Sequence, residues 1–130
     1  MYDLHHFLTA VAIDELNDDK GYTDGQLGKH IAIYENELPD ITNADIVLVG
    51  ANETRGSGDF DNTLNAADCI RRQLYQLHYW HTDIALADIG NIKTGATLKD
   101  SYAAIKTVIA ELLRLKKTVV VLGGPHDITL

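Results

Sequence analysis

The chain has 130 residues, with 11 Lys and Arg against 19 Asp and Glu, a net charge of −8 and one cysteine. This balance disfavours a phosphate-backbone partner, a lone cysteine cannot build a disulfide framework, and no apolar run reaches the roughly 18 residues of a membrane span. The length suits one domain that buries roughly two-thirds of its unfolded surface, expected in the cytoplasm with no nucleic acid and no membrane as partner.

In chain order, Leu4–Leu16 and Gly28–Leu38 are predicted as helices, with Pro39 punctuating the approach to the first strand. Three nearly continuous apolar runs follow, at Asp45–Gly50, Asp83–Asp88 and Thr118–Gly123. Continuous rather than alternating apolar character marks strands covered on both faces. Between them, Leu64, Ala67, Ile70, Leu74 and Leu77 recur at helical spacing, with Asp61 or Asn62 placed to cap the first turn. Leu98, Tyr102, Ile105, Ile109 and Leu112 form a second such stripe. Thr97 and Asp100 open it as a weak capping box, and Lys116 and Lys117 close it at the negative end of the dipole. Strands alternating with helices of this length predict an α/β fold: a βαβαβ core with a parallel sheet between helical layers, preceded by N-terminal helices.

Open parallel sheets bind ligands beyond the carboxyl ends of their strands, which directs attention to 52–59, 88–95 and 123–129. Gly123-Gly124-Pro125-His126-Asp127 presents an imidazole and a carboxylate after a glycine turn. His126 is either a metal ligand or a histidine hydrogen-bonded at a strand end, since one imidazole supplies only one ligand. The loop Asn52-Glu53-Thr54-Arg55-Gly56-Ser57-Gly58-Asp59 could orient a charged small molecule through its guanidinium, or be a solvated loop. It lacks the third glycine of a dinucleotide fingerprint. Asp88 either points into the crevice or bonds its own backbone in a turn. His78 and His81 read as a packing or interface feature at a helix end, and Cys69 as an inert small residue on a helical face. No nucleophile with a paired base is present, so serine and cysteine hydrolase chemistry finds no support.

Taken in order, Ile46–Gly50, Ala66-Ala67-Asp68-Cys69-Ile70-Arg71, Asp88-Ile89-Gly90-Asn91 and Leu122-Gly123-Gly124-Pro125-His126-Asp127 resemble the N-terminal part of the ureohydrolases: arginase, agmatinase and formimidoylglutamase. The match spans about residues 28–130, and the loop after the first strand is most similar to the formimidoylglutamase branch. The resemblance implies a partial arginase-like fold, with 1–40 an N-terminal helical segment and 41–130 the first portion of the α/β domain, truncated at its C-terminus. It also implies a metal-dependent hydrolase of linear amidines such as formimidoylglutamate, agmatine or arginine. Three strands with exposed edges and uncovered apolar faces predict self-association into a homo-oligomer. By the same resemblance His126 is the first ligand of a two-manganese (Mn) cluster, while Asn52, Glu53 and Arg55 help hold substrate. The cluster's role is to activate water for attack on a guanidino or formimidoyl carbon.

Pro125 departs from the Asp, Gly or Ser common at that position. The family's Asp-x-His-x-Asp and Asp-x-Asp ligand motifs lie further along, past Leu130. The 130 residues alone are therefore expected to be inactive. A non-catalytic arginase-fold ligand-binding or assembly domain is the alternative. A complete small doubly wound domain fits less well, given the short sheet and the stop at Leu130.

Overall fold

The computed structural model describes residues 4–11, 22–51, 66–79, 83–93 and 97–123. Among them are five strands: β1 (Leu8–Thr9), β2 (Ala32–Ile33), β3 (Ile46–Gly50), β4 (Leu86–Ile92) and β5 (Thr118–Leu122). The helices are α1 (Leu27–His30), α2 (Ala66–Leu74) and α3 (Leu98–Arg114), with a single 3-10 turn at Leu4–Phe7.

The sheet is mixed. β5, β3 and β4 run parallel in that order, in register from Ile46 opposite Thr118 and Leu86. The far edge of β4 is shared: β2 pairs parallel with its first half and β1 antiparallel with its second. The step from β3 to β4 goes one way across the sheet, and the step from β4 to β5 returns past β3. With right-handed crossovers these opposite steps place α2 and α3 on opposite faces.

The core follows that arrangement. Val47, Val49, Ile89 and Ile92 pack with Ile105, Val108 and Leu112 of α3 on one face. Leu48 and Leu122 pack with Ala67 and Tyr75 on the face covered by α2. β3 is buried from both sides, which is why its sequence is continuously apolar. The layered α/β architecture predicted from the sequence is thus the one observed.

Several elements differ from expectation. The helix predicted over Leu4–Leu16 is, in its described part, one 3-10 turn followed by strand β1. Leu8 is buried against the sheet, and β1 caps the edge of β4 through Leu8 opposite Ile92. The helix predicted over Gly28–Leu38 ends at His30. Ile31 is already extended, and Tyr34 N–H donates to Asp88 C=O at 2.9 Å, so sheet pairing takes over from helix. The second predicted strand lies later than expected, at 86–92 rather than 83–88, because pairing with β1 extends it through Gly90 and Asn91.

The ends of α3 combine one expected feature with one unexpected one. Thr97 Oγ1 accepts from Asp100 N–H at 3.1 Å, the predicted cap. At the other end Lys116 adopts φ 64°, with Lys116 N–H donating to Leu113 C=O and Lys117 N–H to Leu112 C=O. This is a Schellman closure built on lysine instead of glycine. Lys117 does not serve the helix dipole: its ammonium donates to Thr42 and Ala44 carbonyls, tying the turn before β3 to the start of β5.

Candidate functional site: the carboxyl rim of the sheet

The carboxyl ends of β3, β4 and β5 meet beside the first turn of α2. Leu48 lies opposite Asp88, whereas Gly50 lies opposite Asn91, so β4 carries one residue more than β3 across this step. The extra residue is a β-bulge at Ile89–Gly90, with Gly90 at φ 85°. The bulge shifts the inside-outside alternation of β4. Ile89 and Ile92, three residues apart, both enter the core under α3. Asp88 and Asn91 both turn toward α2.

There they meet Arg71, which is wholly buried. Its Nε and Nη2 grip the Asp88 carboxylate at 2.7 and 2.9 Å. Nη1 donates to Asn91 Oδ1 at 2.6 Å and to Asp68 at 3.1 Å, and Nη2 also donates to Gly90 C=O at 2.9 Å. Every guanidinium N–H thus has an acceptor, the condition under which a buried charge is tolerated. Asp88 accepts in addition from the Tyr75 hydroxyl and from Gly90 N–H at 3.0 Å.

Burial opposes the Arg71 charge, but its bonds to Asp88 and the field of that carboxylate outweigh it and raise the pKa. Burial, then the Asp88 charge and hydrogen bond, push the Tyr75 phenol up as well, and only Arg71 pulls it back. Removing one member of such a pair leaves an unpaired buried charge, at a cost of roughly 3–5 kcal/mol.

The rim is closely packed around this network. A Cβ on Gly50 would collide with Asn91 Oδ1 and stand 2.8 Å from Ala67 Cβ. Gly123, at φ 79°, nests against Ala67 N and Ala66 Cβ, and Ala51 N–H donates to Leu122 C=O at 2.9 Å. Each strand end therefore touches the first turn of α2 or the side chains that α2 holds.

Asp88 was expected either in the crevice or bonded to its own backbone. It accepts from Gly90 N–H as a turn aspartate does, while its main partner is a cation 17 residues earlier on α2. Chemically it is a committed carboxylate. His78 is exposed, its backbone bridged to Gln26 and its ring beside Gly25. His81 lies outside the described residues, as do Asn52, Glu53, Arg55 and His126. Cys69 is exposed on α2.

The stripe predicted for α2 is rotated in the structure. Ile70 and Leu77 are 40% and 56% exposed, and the buried line is Ala67, Arg71 and Tyr75. Sequence gives Arg71 and Asn91 a place in motifs but no partner, and gives Tyr75 no role, because a polar side chain on an inward position looks like a surface residue until its partner is known. The available signal was the i, i+4, i+8 spacing of Ala67, Arg71 and Tyr75 together with an aspartate ending a buried strand.

Among the described residues no group of three or more His, Cys, Asp or Glu side chains could hold a metal ion, and the rim carboxylate is already engaged. These residues do not by themselves fit a dinuclear metal centre. What they form is the support beneath the rim. No helix among the described residues is long and apolar enough to cross a membrane.

Comparison with known proteins bears on the same stretch. A family model described as the Arginase family matches residues 44–130, which begin just before β3 and include the whole Arg71 network. Neither the curated proteins nor the solved structures yield a match to this chain. Strand, helix and strand-end motifs that bear the resemblance in sequence are the ones folded together around Arg71. With the family match covering more than half of its length, the chain belongs to the arginase family.

Proposed function

We propose that the chain belongs to a manganese-dependent hydrolase of linear amidines, a ureohydrolase acting on a guanidino or formimidoyl C–N bond. The observation that carries this reading is the family match over 44–130, which takes in the Gly-Gly-x-His motif ending at His126. In this reading His126 is one metal ligand, and Asn52, Glu53 and Arg55 contact the substrate. Manganese supplies water activation at neutral pH, which hydrolysis of a resonance-stabilised amidine carbon requires. The branch proposed is that of formimidoylglutamase, on the similarity of the loop after β3.

The remaining ligands of a dinuclear centre belong to motifs that follow Gly-Gly-x-His in the family. The 130 residues alone are therefore expected to retain no stoichiometric manganese and to turn over none of arginine, agmatine or formimidoylglutamate. The test assays the complete open reading frame with manganese, following urea from arginine or agmatine and formamide from formimidoylglutamate. Release that disappears in His126→Asn supports the reading. A frame without the Asp-rich ligand motifs and without release would favour a non-catalytic arginase-fold domain. Stoichiometric manganese and turnover by the 130 residues alone would overturn the assignment of the missing ligands.

A further inference from the structure

We propose that Arg71 is a positioning residue for the rim: it fixes α2 on β4, and the first turn of α2 in turn fixes the Gly123 turn that leads to His126. This rests on the reading of His126 as a metal ligand. Three observations carry it. The Arg71 guanidinium holds Asp88, Gly90 and Asn91 on one strand while bonding Asp68 on its own helix, so α2 cannot slide along β4 without breaking charge-assisted bonds. Asn91, held by Arg71, lies directly over Gly50, which leaves no room for a side chain there and sets the end of β3. Ala66 and Ala67, at the start of α2, form the wall against which Gly123 turns with positive φ.

The consequence is a short mechanical chain. A shift of α2 opens the niche of Gly123 and loosens the Ala51 N–H to Leu122 C=O bond that joins β3 and β5 at their ends. His126 lies three residues beyond Gly123 in sequence. A metal ligand must be held within a fraction of an ångström of its coordinating position, so the support matters as much as the imidazole. Such a role differs from general stabilisation. It predicts loss of order at the carboxyl rim while the strand centres keep theirs.

The experiment uses the 130-residue chain with Arg71→Lys and Asn91→Ala. Arg71→Lys keeps the charge but not the bidentate fork. Asn91→Ala leaves the Arg71–Asp88 pair whole, and it decides the matter if the lysine variant fails to fold. Amide exchange at Ala51 is expected to rise by about tenfold relative to Val47 and Leu48 in the middle of β3, as local opening separates from global opening.

A second measurement, on the complete open reading frame, titrates manganese chloride at low occupancy and follows paramagnetic broadening of the imidazole signals, with His126 assigned through His126→Asn. Broadening of His126 in the unsubstituted frame, diminished in both variants, is the expected result. Should His126 not broaden in the unsubstituted frame, the manganese reading fails, and the Ala51 exchange still decides the positioning role. If Ala51 speeds up only in step with the centre of β3 in every folded variant, Arg71 is a stability element and the proposal is overturned.

Discussion

At the scale of single residues, the most informative side chain is Tyr75. It is fully buried, and its hydroxyl donates to the carboxylate that Arg71 grips. Ionising that phenol would place a second negative charge beside Asp88 in a site that excludes water. Its pKa in the folded chain is therefore raised above the ordinary 10.0, first by burial and then by Asp88. The sign follows directly. Below pH 10 the phenol is protonated in both folded and unfolded chains, and its contribution to stability is intact. Above that, the unfolded chain releases a proton that the folded chain retains, so stability falls as pH rises. Tyr75→Phe should make the alkaline limb of a stability-pH curve shallower by up to about 1.4 kcal/mol per pH unit, the slope of one proton. Urea midpoints between pH 9 and 11 would show it, and an unchanged slope would mean that the phenol ionises freely. Little of this was legible beforehand. Asp88 stood out as a carboxylate at a strand end, but its partner lies 17 positions away on a helix whose inward line could not be told from apolar spacing alone.

Elements were more legible than their edges. The run at 46–50 announces a buried strand because both of its faces meet helices, and apolar continuity is a local property of sequence. The equally continuous run at 118–122 corrects the expectation of cover on both faces: β5 is the outer strand among the described residues, paired on one side, and Val120 and Val121 are 39% and 36% exposed. The register of β4 was not legible, since the bulge at Gly90 depends on residues about 40 positions apart and the pairing with β1 on residues more than 80 apart. The helices expected over Leu4–Leu16 and Gly28–Leu38 give way, in their described parts, for a related reason: Leu8 pairs opposite Ile92 and Tyr34 N–H donates to Asp88 C=O, so the backbone there finds its partners on β4. The site residues His126, Asn52, Glu53 and Arg55 lie outside the described residues, so at their positions sequence remains the source. One element does carry a visible local conflict. Lys116 closes α3 with positive φ, a conformation that costs a side chain of L-configuration roughly 1–2 kcal/mol and glycine almost nothing. Glycine loses part of that advantage through the greater freedom of its unfolded chain. Lys116→Gly should therefore stabilise the protein by about 0.5–1 kcal/mol, read as a higher urea midpoint at unchanged slope. A lower midpoint would show that the lysine side chain makes a contribution that the backbone argument omits.

Among the described residues the molecule has two cores on one sheet, and the question at this scale is whether they are one cooperative unit. The face under α3 holds Val47, Val49, Ile105, Val108 and Leu112, and the face under α2 holds Leu48, Ala67, Tyr75 and Leu122. These sets share no side chain, so packing alone would permit one face to open while the other stayed closed. The backbone forbids it. Val47, Leu48 and Val49 are consecutive in β3, and their fully buried neighbours sit on alternate sides of the same strand. Exposing one face strips half the burial from β3, and β3 is the strand that holds β4 and β5 together. Leu112→Ala tests this. It removes a fully buried side chain from the α3 face alone, at an expected cost of about 2–5 kcal/mol. If the sheet couples the faces, amide exchange in α2 around Arg71 should accelerate by the same free energy as exchange in α3, and the unfolding transition should stay single. Continued protection of α2 in that variant would show that the Arg71 clamp holds its face independently, with β3 as a hinge between two separately stable halves.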